Sequence, residues 1–204
     1  MKIKGWIIVE LDGKEVYRGE SRSFVQNLGK ALLAFFQSTA SGSTGGTVSI
    51  TNTSGGNASI YGEYYGGYGS SGFSPMAVNA PAGTDSYGIV VGSGSTPQTY
   101  SDYALASQIK NGTGAGQLSY GVHTTTSSYG SASSYVTISR TFTNQSGSAI
   151  VVREVGIIAR QSTTTNSNTT DTKFLIARDV LANPVTVNNL GTLTVTYTLT
   201  LSTS

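Results

Sequence analysis

Apolar and polar residues alternate with a period of two over much of the chain, and the places where the alternation fails mark the other elements. Near the start, Ile3, Ile7, Val9 and Leu11 fall on one side and Lys2, Lys4, Trp6, Ile8 and Glu10 on the other, the spacing of a half-buried strand. Asp12-Gly13 follows, a two-residue hairpin signal, and 15–18 reads as the returning strand. The period then changes. Phe24, Leu28, Ala31, Leu32 and Phe35 share one helical stripe, and Ser23 with Gln26 has the form of a capping box. An amphipathic helix is therefore predicted to begin near Ser23 and to lid the sheet with that stripe.

Short strands are predicted at 47–51, 58–62, 87–92 and 117–124, with turn residues between them. The clearest alternation lies in the last third. Val136, Ile138, Arg140 and Phe142 interleave with Tyr135, Thr137, Ser139, Thr141 and Thr143, and Leu193, Val195, Tyr197, Leu199 and Leu201 with an unbroken threonine series. Both are expected to be half-buried antiparallel strands. By contrast, 149–160 and 173–181 are apolar at both parities, as in strands covered on both faces. The polar run 160–173 between them is expected to be a long hairpin loop. The pattern as a whole predicts a mainly β, antiparallel β-sandwich or jelly-roll-like domain with one helix near the N-terminus. Residues 1–204 form one unit, within which 1–38 can pack as an N-terminal hairpin–helix arm.

Composition narrows the chemistry. Only 11% of residues are charged, and between Lys30 and Arg140 the charged residues are Glu63, Asp85, Asp102 and Lys110. A net charge of +2, dispersed, does not suit a phosphate-tracking surface, so nucleic acid is not an expected partner. The chain has no cysteine and one histidine, His123, without a nucleophile elbow beside it. The acids Glu10, Asp12, Glu15 and Glu20 stand among Lys14, Arg18 and Arg22 as a solvated hairpin, and Asp85 and Asp102 are isolated. No catalytic residue, cofactor or metal site is assigned, and catalysis is not expected. The apolar run 6–9 is too short for a signal-peptide core, and no stretch has the length of a membrane helix, so membrane insertion is not expected.

Three features remain. The glycine-rich stretch 88–97 raises a phosphate cradle, but it lacks the Lys-Ser/Thr ending of a P-loop and reads as turns. Tyr61, Tyr64, Tyr65 and Tyr68 stand in a glycine-rich loop either as a candidate interaction surface, since tyrosine supplies rigid amphipathic area, or as rings that close the core or pack the loop on itself. Arg140, Arg153, Glu154, Arg178 and Asp179 sit inside apolar strands, where unpaired charge is expensive; they are expected to form ion pairs, within the fold or across a subunit boundary.

The segments "TISRTFTNQSGSAIVVREVGIIAR" and "FLIARDVLANPVTVNNLGTLTVTYTLTL", together with "SFVQNLGKALLAFF" and "YGIVVGSGSTPQTYSDYALASQI", resemble uncharacterised structural proteins of tailed phages and related viruses of thermophiles. The resemblance implies a virion component, in a tail, fibre or head decoration, acting by self-assembly as a homo-oligomer and by contact with other virion proteins. It carries over no enzymatic site. The alternative class is a subunit of a cellular extracellular filament or adhesin at the cell surface, with glycan binding through Trp6 or the loop tyrosines.

Overall fold

The computed structural model describes residues 2–21, 23–36, 47–60, 62, 74–131, 133–165 and 168–202. In chain order the elements are β1 (Lys2–Leu11), β2 (Lys14–Ser21), α1 (Gln26–Phe36), β3 (Val48–Thr51), β4 (Asn57–Ile60), β5 (Ser74–Ala77), β6 (Gly88–Gly92), β7 (Ser119–Tyr129), β8 (Ser133–Thr143), β9 (Ile150–Thr165), β10 (Asn168–Val187) and β11 (Thr192–Ser202). The protein is mainly β, antiparallel and sandwich-like, with its one described helix near the N-terminus.

The first layer is a five-stranded sheet ordered β2-β1-β11-β8-β7. Its first hairpin turns at Asp12 and Gly13, both at positive φ (49° and 77°), the backbone that a type I′ turn requires. Asp12 also ties that turn to β11: its N–H donates to Thr192 O and its Oδ1 accepts from Thr192 N–H, each at 2.8 Å. The strict alternation of β8 and β11 turns Phe142, Leu193, Val195 and Tyr197 inward, and the threonines outward. The hairpin and helix of the first 36 residues are built into the sandwich: β1 is an inner strand, paired with β11 from Lys2↔Ser202 to Leu11↔Leu193.

The second layer is ordered β10-β9-β5, with β6 also pairing β9. Its centre is β9, buried from Glu154 to Ala159 regardless of parity, as a strand covered on both faces must be. The free side of β10 is closed by the chain ahead of the helix. Phe24 bridges to Ala177, Val25 N–H donates to Ile176 O at 3.1 Å, and Arg178 N–H to Ser23 O at 3.1 Å. A third, two-stranded sheet pairs β3 with β4.

Three expectations differ from this structure. The polar run 160–173 is paired strand, from Arg160↔Lys173 to Thr165↔Asn168. Its threonines are β-branched and strand-favouring, and hydrophobicity alone mistakes so polar a strand pair for a loop. The helix starts at Gln26, and the Ser23 capping box does not form: Ser23 Oγ is buried without a hydrogen-bond partner, because its backbone serves the edge of β10. The buried helix stripe is also different. Phe24, Leu28 and Ala31 of the expected stripe pack against the core, but Asn27 and Ala34 are the buried residues of the helix while Leu32 and Phe35 are exposed. Asn27 decides this, since its amide Nδ2 donates to Thr51 O at 2.8 Å and its Oδ1 accepts from Thr51 N–H at 3.3 Å, fixing that face against β3.

Candidate functional site

Two buried cations hold irregular chain against the sheets, Arg178 the segment between β6 and β7 and Arg140 the segment between β5 and β6, and they do so by different chemistry. The first is Arg178 on β10. Glu154, fully buried near the centre of β9 and two residues along it from Gly156, the register partner of Arg178, accepts a hydrogen bond from Arg178 Nε at 2.7 Å. Its remaining lone pairs take backbone donors from the chain after β6: Gly94 N–H at 3.1 Å, Ala106 N–H at 3.1 Å and Ser107 N–H at 2.8 Å. Glycine is required here for space, since a Cβ on Gly92 would lie 2.6 Å from Glu154 Oε1. Gly94 of the glycine-rich stretch, together with Ala106 and Ser107, thus cradles the protein's own carboxylate.

Arg178 completes its fork with Asp102 Oδ2 at 2.7 Å and Thr96 O at 2.8 Å. Asp102 is oriented by Thr99, whose N–H and hydroxyl donate to it at 3.0 and 2.8 Å. Burial opposes the charge on both groups, and the bonds outweigh it. The Arg178 pKa is raised by Asp102 and Glu154, and the Asp102 carboxyl is held below the usual carboxylate range by Thr99 and Arg178.

The second cation, Arg140 on β8, is 1% exposed and has carbonyls in place of carboxylates. Nε donates to Gly121 O at 2.9 Å, Nη1 to Tyr87 O and Ile89 O at 3.3 and 3.0 Å, and Nη2 to Pro81 O and Thr84 O at 3.0 and 2.6 Å. Its guanidinium also lies 4.8 Å from the centroid of the Tyr120 ring. Dipoles solvate this charge without neutralising it, so burial pushes its pKa down.

His123 stands beside it, paired in register with Arg140. Its Nε2 accepts from Ile89 N–H at 3.2 Å, while Nδ1 is buried without a partner. Burial and then the neighbouring Arg140 charge lower its pKa to about 4. The ring is therefore neutral near pH 7, with its proton on Nδ1 and its one basic nitrogen engaged by the backbone.

Of the five charged strand residues singled out from sequence, the structure brings Glu154 and Arg178 together. Asp179 faces the other layer, accepting from Ser21 Oγ at 3.0 Å and Tyr197 OH at 3.2 Å. Burial, with Asp179 alongside, raises the Tyr197 pKa well above its ordinary value. Arg153 is half-buried on the opposite face of β9 from Glu154 and joins none of these clusters. Arg140 departs from the ion-pair expectation because a cage of carbonyls meets it. Tyr61, Tyr64, Tyr65 and Tyr68 lie outside the described residues. Asp102 was not singled out as the second carboxylate on Arg178, although Thr99-x-x-Asp102 is a local signal of a hydrogen-bonded turn.

No family model matches the chain, and no curated protein or solved structure is significantly similar to it.

Proposed function

We propose that the chain is a non-enzymatic structural subunit of a virus particle, in a tail, fibre or head decoration, that works by assembling with copies of itself and with other virion proteins. The observation that carries the assembly reading is an overhang of the five-stranded sheet. Leu199 on β11 and Val136 on β8 are register partners on the side that buries Tyr197 and Arg140, yet they are 37% and 38% exposed. Tyr129, on that side at the end of β7, is 80% exposed. An apolar sheet face that runs out past its covering layer favours burial against a neighbour. Beside it β7 is an edge strand of the sheet, with backbone donors and acceptors suited to pairing between chains.

The buried charges support the same reading. Each ties loop to sheet or sheet to sheet, and their hydrogen bonds are used in holding the fold rigid, which suits a load-carrying subunit. The virion assignment rests on the resemblance of the strand segments. Pairing through residues 192–202 is not favoured, because β11 is an inner strand; the terminal hairpin presents β2 as the other edge of the sheet and is a second route to pairing between chains.

Electron microscopy with mass measurement on the purified chain across a range of concentrations tests the assembly reading. Rings, tubes, filaments or a defined oligomer are expected, and Leu199→Glu should reduce them to folded monomers. A monodisperse monomer at every concentration, or assembly indifferent to Leu199→Glu, would remove the basis for self-assembly.

A further inference from the structure

The outer face of the five-stranded sheet, opposite the core, carries a second surface of different chemistry. Strand register places Trp6 beside Thr198 and Thr198 beside Thr137 in one row, and Lys4 beside Thr200 and Thr200 beside Tyr135 in the next. The six side chains form a patch two rows deep and three strands wide. Trp6 and Tyr135 stand at diagonally opposite corners, 37% and 42% exposed. With strands about 4.8 Å apart and about 6.8 Å between same-face residues, the two aromatic positions are roughly 12 Å apart.

The floor between the rings is neutral and stiff. Threonine has few χ1 options on a strand, and the hydroxyls are mutually bonded, Thr137 Oγ1 with Thr198 Oγ1 at 3.0 Å and, one row along, Ser139 Oγ with Thr196 Oγ1 at 2.9 Å. Each such hydroxyl retains further hydrogen-bonding capacity toward solvent or a ligand. On β11 and β8 the patch is free of charge. At its β1 side stand Lys4 and, next to Trp6 on β2, Glu20, one charge of each sign.

We infer that this patch binds a neutral polysaccharide chain, its sugar rings stacking on Trp6 and Tyr135 and its hydroxyls bonding to the threonine floor. The charge pattern selects the ligand. A nucleic acid or an acidic polymer would require converging cations, whereas offset rings over a flat hydroxyl floor match a ligand that is apolar on its ring faces and polar at its rims. The separation of the two rings fits an extended oligosaccharide; a single sugar cannot reach both. This inference stands apart from the assembly reading, since the patch lies on the face of the sheet away from Leu199 and Val136.

The test is affinity electrophoresis of the full chain in gels containing soluble β-glucan, xylan or galactomannan, with sedimentation on insoluble cellulose and chitin. Retardation or co-sedimentation with at least one of these is expected. Trp6→Ala and Tyr135→Ala should each weaken it about tenfold, and Thr137→Val roughly threefold, at unchanged thermal midpoint. If Trp6→Ala fails to fold, Tyr135→Ala, at a more exposed position, carries the test. Wild-type protein that binds none of the panel, or a folded Tyr135→Ala that binds as wild type, would overturn the inference. So would variants that change only the oligomeric state, which would assign the patch to a subunit contact. Failure of self-assembly would leave the sugar binding intact, so the two proposals fail separately.

Discussion

Arg140 and Arg178 are equally buried, 1% and 2% exposed, and do similar mechanical work, yet one site contains two carboxylates and the other contains none within hydrogen-bond reach. At Arg178 the charge is cancelled by Glu154 and shared with Asp102; at Arg140 five carbonyl dipoles solvate it, as water would. A buried cation is tolerated when its donors are filled, whether by full or by partial charges. The difference lies in what remains when one partner is removed. At the first site a buried ion is left short of partners. At the second, unsatisfied dipoles remain.

The largest expected effect therefore belongs to Glu154→Ala. It leaves Arg178 with one carboxylate and strips three backbone N–H groups of their acceptor, and should lower unfolding stability by about 3–5 kcal/mol, measured by urea denaturation. A double-mutant cycle with Arg178→Met should show strong coupling. Additive effects would mean that the pair is not a unit.

Arg140→Met should cost somewhat less, on the order of 3 kcal/mol, since it orphans neutral carbonyls. Arg140→Lys should recover only part of this, because three donors on a point charge cannot fill five acceptors set out for a planar fork. If lysine restores full stability, the fork geometry is not what the cage selects.

Acid should separate the sites without mutation. The folded His123 pKa, about 4, lies below the unfolded value near 6.5. The unfolded chain therefore takes up a proton first as pH falls. Stability from this group is complete above pH 6.5 and declines toward pH 4, by about 3 kcal/mol at most. Asp102, also depressed in the folded state, keeps its contribution until the pH falls below its unfolded value near 3.9, and loses it on further acidification. The Arg140–His123 region should thus loosen before the Arg178 region. Denaturation midpoints between pH 7 and 4 for the wild type and for His123→Gln test this: the decline should flatten in the variant.

The smallest effect is expected at the third tie between layers. Ser21→Ala removes one of the hydrogen bonds to Asp179 and should cost about 1 kcal/mol, with no change in the pH profile between 7 and 4.

Much of the fold was legible because strand periodicity is a local property. The alternation of β8 and β11 predicted which side chains face inward, and the apolar run around 154–159 predicted a strand covered on both sides. The errors came from distant partners. Ser23 and Gln26 form a capping box in sequence, but the exposed backbone edge of β10 recruits 23–25 first. The helix stripe was assigned by hydrophobicity; Phe24, Leu28 and Ala31 pack as it predicted, but the two hydrogen bonds of Asn27 to Thr51 rotate the buried face toward Asn27 and Ala34 and leave Leu32 and Phe35 exposed. The strand Ser74–Ala77 was missed altogether: it is short and contains Pro75, and it pairs with β9 at only two described positions.

By itself the sequence determined the class of the molecule, since a period of two, β-branched outer positions and an Asp-Gly turn each act within a few residues. It also determined that Arg140, Glu154 and Arg178 would need partners, because a charge in an apolar strand must be satisfied wherever the strand lies. Which partners they found was decided only by the tertiary structure. Asp102 is 76 residues from Arg178 in the chain, and the carbonyls around Arg140 come from the segment before β6, from β6 and from β7, where residue types say nothing about them. Backbone oxygens are present at every position, so only three-dimensional placement distinguishes those that form a cation cage.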